Sequence, residues 1–185
     1  MHGGDAMSSE TAEKKPVEKL TVLAAAIEGV RVLFPDVMVA EIVDFQSLVS
    51  EDEETPTWYL GKLPWREITV PLISLEAMNS DSFFRKKPDL KIVVVHSAYL
   101  REQMPYWSFV VNETPRMLRL NRADVHHADT GEKGKIEAMH AEISGDLFLV
   151  PDAVKIEKNI VDWLGHVASK EGPEPVVEPS PDLPE

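Results

Sequence analysis

The sequence predicts an all-β barrel or sandwich that ends in a single α-helix. Between about residues 20 and 168, apolar residues recur mostly with a period of two and are rich in valine and isoleucine, as in short strands. Turn signals, including many of the 14 prolines, separate these runs at short intervals, which favours an all-β architecture over a parallel α/β sheet. A chain of 185 residues, 43% of them apolar, can bury a core of this kind.

The first half of the chain is predicted to contain strands joined by two aromatic-rich turns. The expected strands are 20–27, 30–34, 37–43 and 68–75. An acidic loop at 51–56 follows the third of them. Pro71 has no N–H to donate to a sheet, so it predicts an edge position or a bulge in the fourth.

The second half begins with a predicted hairpin of strands 91–95 and 106–111, whose polar turn ends in Met104–Pro105. Residues 116–127 fit either a strand or a turn of helix. Strands 136–143 and 147–150 flank Ser144-Gly145-Asp146, a hairpin turn in which glycine supplies a positive φ.

The C-terminal helix is predicted from apolar residues at mostly helical spacing, with Asp152 placed to cap its start. These apolar residues are Val154, Ile156, Ile160, Trp163, Leu164 and Val167. The total is eight or nine short strands and one helix.

Both termini are predicted to be disordered and to act as solubilising ends. Residues 1–19 are small and polar, and the segment 170–185 holds five prolines and five acidic residues against one lysine. The domain organisation is therefore a disordered tail over 1–19, one folded domain over 20–168 and a second disordered tail over 169–185.

Composition restricts the possible partners. There is no cysteine, which excludes disulfides, thiolate nucleophiles and cysteine-ligated metal sites. The net charge of −13 argues against nucleic acid, because the one basic cluster, Arg85-Lys86-Lys87, is too small to bind a phosphate backbone. The apolar run near the start, 22–27, is too short for a signal peptide or a membrane span, so we expect a cytoplasmic protein without direct membrane insertion.

No common catalytic motif is present. The chain lacks GxGxxG, GxxxxGK[ST], GxSxG and HExxH, and Gly131-Glu-Lys-Gly134 lacks the strand and helix that a phosphate loop needs. His126 and His127 would point to opposite faces of a strand, and His127 with Asp129 supplies two ligands without a third. We therefore expect no enzyme activity, no metal and no cofactor.

The aromatic turns carry the strongest signal for a binding surface. Arg66 is flanked by Trp65 and lies near Trp58 in the sequence, a composition typical of interface hot spots. The alternative for each tryptophan is a ring folded inward as core.

The order of motifs in the chain resembles that of the CheW-like domain family of bacterial chemosensory systems. The resemblance covers about residues 20–168. The segments that carry it are Val30 to Val43, Trp58-Tyr-Leu-Gly61, Ile68-Thr-Val-Pro-Leu-Ile-Ser-Leu75, Ile92-Val-Val-Val95, Phe109-Val-Val-Asn-Glu113 and Leu147-Phe-Leu-Val-Pro-Asp152.

The resemblance implies a fold of two small five-stranded barrels that share a hydrophobic core. It also implies a non-catalytic adaptor that joins the cytoplasmic tip of a chemoreceptor to a CheA-type histidine kinase. Carried over by position, Val39 and Glu41 fall on the strand used for receptor contact, and Arg66 matches the arginine of the family's turn. With Trp58 and Trp65 added for their hot-spot composition, the predicted receptor- or kinase-binding residues are Val39, Glu41, Trp58, Trp65 and Arg66.

The chain departs from the family pattern beside the arginine. The family's Asn-x-Arg-Gly turn is here Pro64-Trp65-Arg66-Glu67, and Ser74 replaces the aspartate of its Asp-Leu pair. The Leu-Phe-Pro and Trp-Tyr-Leu-Gly variants are similar to the divergent members of type IV pilus chemosensory clusters. The alternatives are a CheW-like module that has lost receptor coupling and binds another protein or ligand, and a hydrolase without a recognisable motif.

Overall fold

A computed structural model describes residues 19–46 and 54–171, and arranges them in two β-sheets with a C-terminal helix. The strands are β1 (Lys19–Ile27), β2 (Val30–Pro35), β3 (Val39–Asp44), β4 (Tyr59–Trp65), β5 (Ile68–Ile73), β6 (Lys91–His96), β7 (Tyr106–Val111), β8 (Arg116–Asn121), β9 (Val125–Ala128), β10 (Glu137–Ile143) and β11 (Asp146–Pro151). The α-helices are α1 (Leu75–Ser80) and α2 (Ala153–Glu171), and short 3-10 turns occupy Asp36–Met38 and Arg122–Asp124. The predicted fold class is confirmed.

The first sheet has six strands in the order β8-β1-β2-β11-β10-β9, and the second has five in the order β3-β6-β7-β5-β4. Neighbours pair antiparallel except for β2 with β11 and β5 with β7, which pair in parallel over two registered residue pairs each. The second sheet is built from one continuous part of the chain, whereas the first combines strands from both ends.

Three apolar clusters explain why the strands carry apolar residues on both faces. Strand β6 shows the division: Val93 and Val95 enter a central core shared by the two sheets, while Ile92 and Val94 enter a core of the second sheet alone. A third cluster around Val22 and Phe148 belongs to the first sheet. The pattern matches two barrel-like units that share a hydrophobic core.

Helix α2 packs against the central core through Ile156 and Ile160, as its periodicity predicts. The backbone N–H of Lys155 donates to Asp152 Oδ1 at 3.2 Å, which confirms the predicted cap. Between the two isoleucines, Glu157 is fully buried, and its carboxylate accepts three backbone hydrogen bonds from residues 98–100 at 2.6 to 2.9 Å. The helix is thereby joined to the β6–β7 connection.

Several predicted elements are confirmed in type. The pairing of β6 with β7 confirms the predicted hairpin. Ser144 and Gly145 both have positive φ, at 54° and 87°, so the β10–β11 turn has the expected backbone. The segment 116–127 forms two strands joined by a 3-10 turn, so it contains both of the predicted structures, a strand and a turn of helix.

Other expectations need correction. The segment starting at Tyr59 is strand β4 rather than a turn, and Leu75 begins helix α1 rather than ending a strand. The edge position expected for Pro71 is wrong, because β5 pairs with β4 on one side and β7 on the other. Pro71 fits there because pairing with β7 begins one residue later, and its carbonyl accepts from Ser108 Oγ at 2.9 Å. The irregularity lies in β4, between Tyr59 and Gly61.

The two predicted disordered tails, apart from Lys19 and residues 169–171, lie outside the described residues, as does 51–53 of the acidic loop.

Candidate protein-docking site

The turn between β4 and β5 consists of two residues, Arg66 and Glu67, because Trp65 and Ile68 still pair across the hairpin. Arg66 has a φ of 54°. Two-residue hairpin turns need a positive φ at their first central residue, and a non-glycine residue adopts it at a cost of about 1 kcal/mol. The left-handed residue is therefore the arginine, not Glu67, the position of the family's glycine.

The carboxylate of Glu41 on β3 binds two side chains of this turn. Its Oε2 atom accepts from Trp65 Nε1 at 2.9 Å and from Arg66 Nη2 at 3.2 Å. Strands β3 and β4 are the two edges of the second sheet, so the Trp65–Glu41 hydrogen bond links one edge to the other. It closes the sheet into its barrel-like form at the place where the candidate residues meet.

Arg66 lies over the first of three neighbouring, mutually tilted rings, those of Trp65, Tyr106 and His96. The guanidinium carbon of Arg66 lies 4.4 Å from the Trp65 ring centroid, within the range of a cation–π contact. The Trp65 ring is 4.9 Å from Tyr106, and Tyr106 is 4.8 Å from His96, between ring centroids. Sequence reasoning missed Tyr106 and His96, although the register of the predicted β6–β7 hairpin places them opposite each other.

The side chains of the site differ in how much of their surface is exposed to solvent. Trp65 is 6% exposed and belongs to the core of the second sheet, which is the inward-folded alternative for this tryptophan. The side chains of Arg66 and Glu41 are 64% and 42% exposed. The surface available to a partner is therefore the charged pair, and Trp65 holds it in place from within.

Val39 and Glu41 do not share a face of β3. Val39 pairs with Val95 and Glu41 pairs with the neighbouring Val94, so a bulge lies between them. Val39 consequently packs half-buried against the central core, while Glu41 turns towards Trp65. In a regular strand, alternate residues would point the same way.

Trp58 lies apart from the other predicted residues. It precedes β4, whereas Trp65 ends it, so the two are separated by roughly 20 Å of extended chain. Trp58 is half-buried against the central core and meets Tyr59 edge to face at 6.1 Å. Tyr59 in turn contacts Trp163 of α2 at 6.2 Å, and burial raises the pKa of the Tyr59 hydroxyl.

The structure therefore brings three of the five predicted residues together: Glu41, Trp65 and Arg66. At the far end of β3, Lys91 Nζ contacts Asp44 Oδ1 at 2.6 Å, and this hydrogen bond and charge lower the pKa of Asp44. The exposed surface along β3 thus carries two ion pairs.

The candidate metal ligands His126 and His127 do not gather with His140, a further histidine on the neighbouring strand β10. His126 and His127 are exposed on β9, while His140 is buried, with Nε2 3.2 Å from Glu137 and its other ring nitrogen bonded to Thr130. Within residues 19–46 and 54–171, no three potential ligands gather into a metal site. Gly134 lies against the Asn79 side chain, in a loop rather than in a phosphate-binding turn.

Comparison with known proteins identifies a family and a similar solved structure. The family model described as CheW-like domain matches residues 21–159. The crystal structure of TtCheW, a scaffolding protein from Thermoanaerobacter tengcongensis, superposes with a TM-score of 0.59 and 12% sequence identity, covering 72% of this chain and 89% of that one. No curated protein sequence matches. In the described part of the chain, neither helix has the length and apolar character that crossing a bilayer requires.

Proposed function

The chain belongs to the CheW-like domain family, and from this membership we propose that it couples a chemoreceptor to a CheA-type histidine kinase. The family consists of non-catalytic scaffolds, and a general role as a chemotaxis adaptor follows from membership alone. The specific coupling, and a cytoplasmic site of action, are our proposal.

The observation that carries the proposal is the exposed Glu41–Arg66 pair held over Trp65. An arginine fixed on an aromatic ring loses little conformational freedom when it binds, so more of the contact energy remains as affinity. Arginine and tryptophan are also the side chains most enriched among binding hot spots. We assign receptor or kinase contact to this pair, with Trp65 as its internal support.

Val39 and Trp58 have different roles in this proposal. Both are half-buried against the central core, so their contribution is to position β3 and the start of β4. Truncating either would weaken partner binding together with stability, whereas changes at Arg66 would weaken binding alone.

Co-purification with the cytoplasmic tip of the cognate chemoreceptor tests the assignment. We expect Arg66→Glu to weaken binding at least about 30-fold, which corresponds to about 2 kcal/mol, the size of a hot-spot contact. Arg119→Glu makes the same charge change on exposed β8 of the other sheet and should leave binding unchanged. Full binding by Arg66→Glu, with unfolding curves like those of the parent protein, would refute the docking site.

We further propose that the protein acts in a chemosensory system that controls type IV pili. This proposal rests on the Leu-Phe-Pro and Trp-Tyr-Leu-Gly segments. Deletion of the gene should then impair twitching and spare swimming. A swimming defect without a twitching defect would place the protein in a flagellar system instead.

A second candidate function is favoured by the altered turn. Pro64 and Glu67 replace family residues on both sides of Arg66, and the arginine itself takes the left-handed backbone. A CheW-like module with a new partner fits these changes. Recovery of one reproducible third protein in pull-downs, with neither receptor nor kinase, would favour this function over the first.

A further inference from the structure

Strand β8 forms one edge of the first sheet. It pairs with β1 over six consecutive residue pairs without a register shift. The 3-10 turn at Arg122–Asp124 then redirects the chain, so β9 joins β10 at the other end of the sheet. Across the described chain, no second strand pairs with β8, and no turn or loop backbone hydrogen-bonds to it. Because the N–H and C=O of successive strand residues point alternately to opposite sides, every second residue of β8 presents both groups on the unpaired side.

This edge lacks most of the features that prevent strand addition. Proteins commonly protect an exposed edge with a proline, a bulge, a very short strand or charged side chains. Strand β8 is six residues long, contains neither proline nor glycine, and has no bulge. Of these features it has charge alone, because Arg116 and Arg119 are exposed on it. Met117 between them is 51% exposed. The edge can therefore accept a further strand whose charge is opposite to its own.

The charge of β8 selects the kind of strand that can be added. Arg116 and Arg119 make this edge cationic in a protein whose net charge is −13. Opposite charges stabilise a pair of neighbouring strands, whereas like charges placed opposite each other destabilise it. Two copies of β8 paired with each other would bring four arginines together. Charge therefore disfavours a second copy of this chain and favours an acidic strand from another protein.

The alternation of side chains along β8 specifies where the acids should lie. Arg116 shares the inner face of the strand with Leu118 and Leu120, which pack on the core of the first sheet. Met117 and Arg119 share the outer face. Acids suit the positions opposite the two arginines, and apolar residues suit the two positions between them. The complementary segment therefore reads acid–apolar–apolar–acid, with one acid on each face.

We propose that β8 accepts an extended acidic segment of a partner protein as a seventh strand of the first sheet. Hydrogen bonds between the two backbones supply the affinity, and the acids opposite Arg116 and Arg119 supply the selectivity. This is a second contact surface, on the other sheet from the Glu41–Arg66 pair. It stands whether or not that pair binds a receptor.

The test is a titration of the isotopically labelled full chain with the peptide acetyl-Thr-Val-Glu-Val-Val-Glu-Thr-amide, followed by amide NMR shifts. The same peptide with lysine in place of both glutamates is the charge control. We expect saturable binding of the acidic peptide, with shifts centred on β8 and slower hydrogen exchange of its amides. The lysine peptide should bind about tenfold more weakly or not at all.

Two further acidic peptides test whether the contact is a strand pairing. Each carries N-methyl groups on alternate residues, and the two peptides differ in which alternate set is methylated. Because only one side of an added strand faces β8, one set should abolish binding and the other should retain it. Loss of binding in both, or in neither, would contradict strand addition.

Arg116→Glu and Arg119→Glu should each weaken the acidic peptide, and the double variant should bind the lysine peptide in preference to it. Lys62→Glu makes the same charge change at an exposed position of β4 in the second sheet and should have no effect. Thermal unfolding of each variant verifies the fold. Equal binding of the acidic and lysine peptides by the unaltered protein would overturn the proposal. Concentration-dependent shifts at β8 without any peptide would also overturn it, because they would assign this edge to a second copy of the chain.

Discussion

Glu157 of helix α2 accepts a hydrogen bond through Oε2 from the backbone N–H of Tyr99 at 2.9 Å, although the two residues are 58 positions apart. The same carboxylate also binds the N–H groups of Ala98 and Leu100. One acidic side chain therefore fixes the start of the β6–β7 connection, a role usually filled by a strand or a turn.

Replacing Glu157 tests how much the fold depends on this contact. Glu157→Ala leaves three backbone donors without an acceptor, and we expect a loss of about 3 kcal/mol in the free energy of unfolding, or a fall in Tm of about 10 °C. Glu157→Gln should lose less, because one carbonyl oxygen still accepts. Lys158→Ala, exposed on the next position of α2, is the control and should change stability by less than about 0.5 kcal/mol. Equal stability of Glu157→Ala and Lys158→Ala would contradict the anchor.

Glu76 predicts a pH-dependent stability difference. Because burial raises its pKa above the ordinary 4.5, the native state holds more protons than the unfolded state just above that pH. Its contribution to stability is therefore complete below pH 4.5 and is lost as the pH rises through the folded-state pKa. At pH 7, we expect Glu76→Gln to raise the Tm by about 3 °C, near 1 kcal/mol. Tm measured from pH 7 to 4 should show this gain shrinking, and a gain that stays constant would contradict it.

Because Arg66 has a left-handed backbone, substitution by glycine separates its effect on the stability of the turn from its effect on partner binding. Because glycine adopts a positive φ freely, Arg66→Gly should leave the free energy of unfolding unchanged or raise it by up to about 1 kcal/mol. The same substitution removes the guanidinium and should therefore abolish partner binding. Ser144→Gly, at the same φ of 54° in the β10–β11 hairpin, should gain similar stability and bind normally. The measurements are urea midpoints and co-purification. Destabilisation by Arg66→Gly above 1 kcal/mol would make the arginine a structural residue instead.

Substitution by alanine should have opposite effects on stability at Gly134 and Gly165. A Cβ on Gly134 would collide with the Asn79 amide, which donates to Glu137 Oε1 at 2.6 Å and accepts from the Ile136 N–H at 3.1 Å. Gly134→Ala should therefore cost about 2 kcal/mol. Gly165→Ala, in open space on α2, should gain about 1 kcal/mol from helix propensity. Urea unfolding compares the two, and a neutral Gly134→Ala would show that Asn79 moves aside without loss.

The predictable parts of the fold are those in which a regular period decides the structure. Strand β6 holds the β-branched run Ile92 to Val95, β7 is aromatic and β-branched except for Ser108, and α2 carries an apolar stripe at helical spacing. The segment of β4 is predicted as a turn because Gly61 and Pro64 are turn residues, whereas pairing with β5 stabilises them in a strand.

The candidate site was predicted in composition but not in geometry. The bulge beside Ala40 points Val39 towards the central core and Glu41 towards Trp65, and no glycine or proline in the sequence indicates it. Glu157 could have been recognised, because it lies between Ile156 and Ile160 on the apolar side of the predicted helix. Its three backbone partners follow from tertiary packing, which local pattern does not contain.

The sheet order has a consequence for synthesis on the ribosome. All five strands of the second sheet lie between Val39 and Val111, so this sheet is complete before β8 to β11 have been made. Strands β1 and β2 emerge first but pair with β8 and β11, which emerge late, so they wait through most of translation with one edge each unpaired. Pairing β1 with β8 and β2 with β11 closes a long loop of chain, and such non-local pairing is slow. The nascent chain therefore passes through a stage with a finished second sheet and an open first one, the stage at which a chaperone or a wrongly paired strand would act.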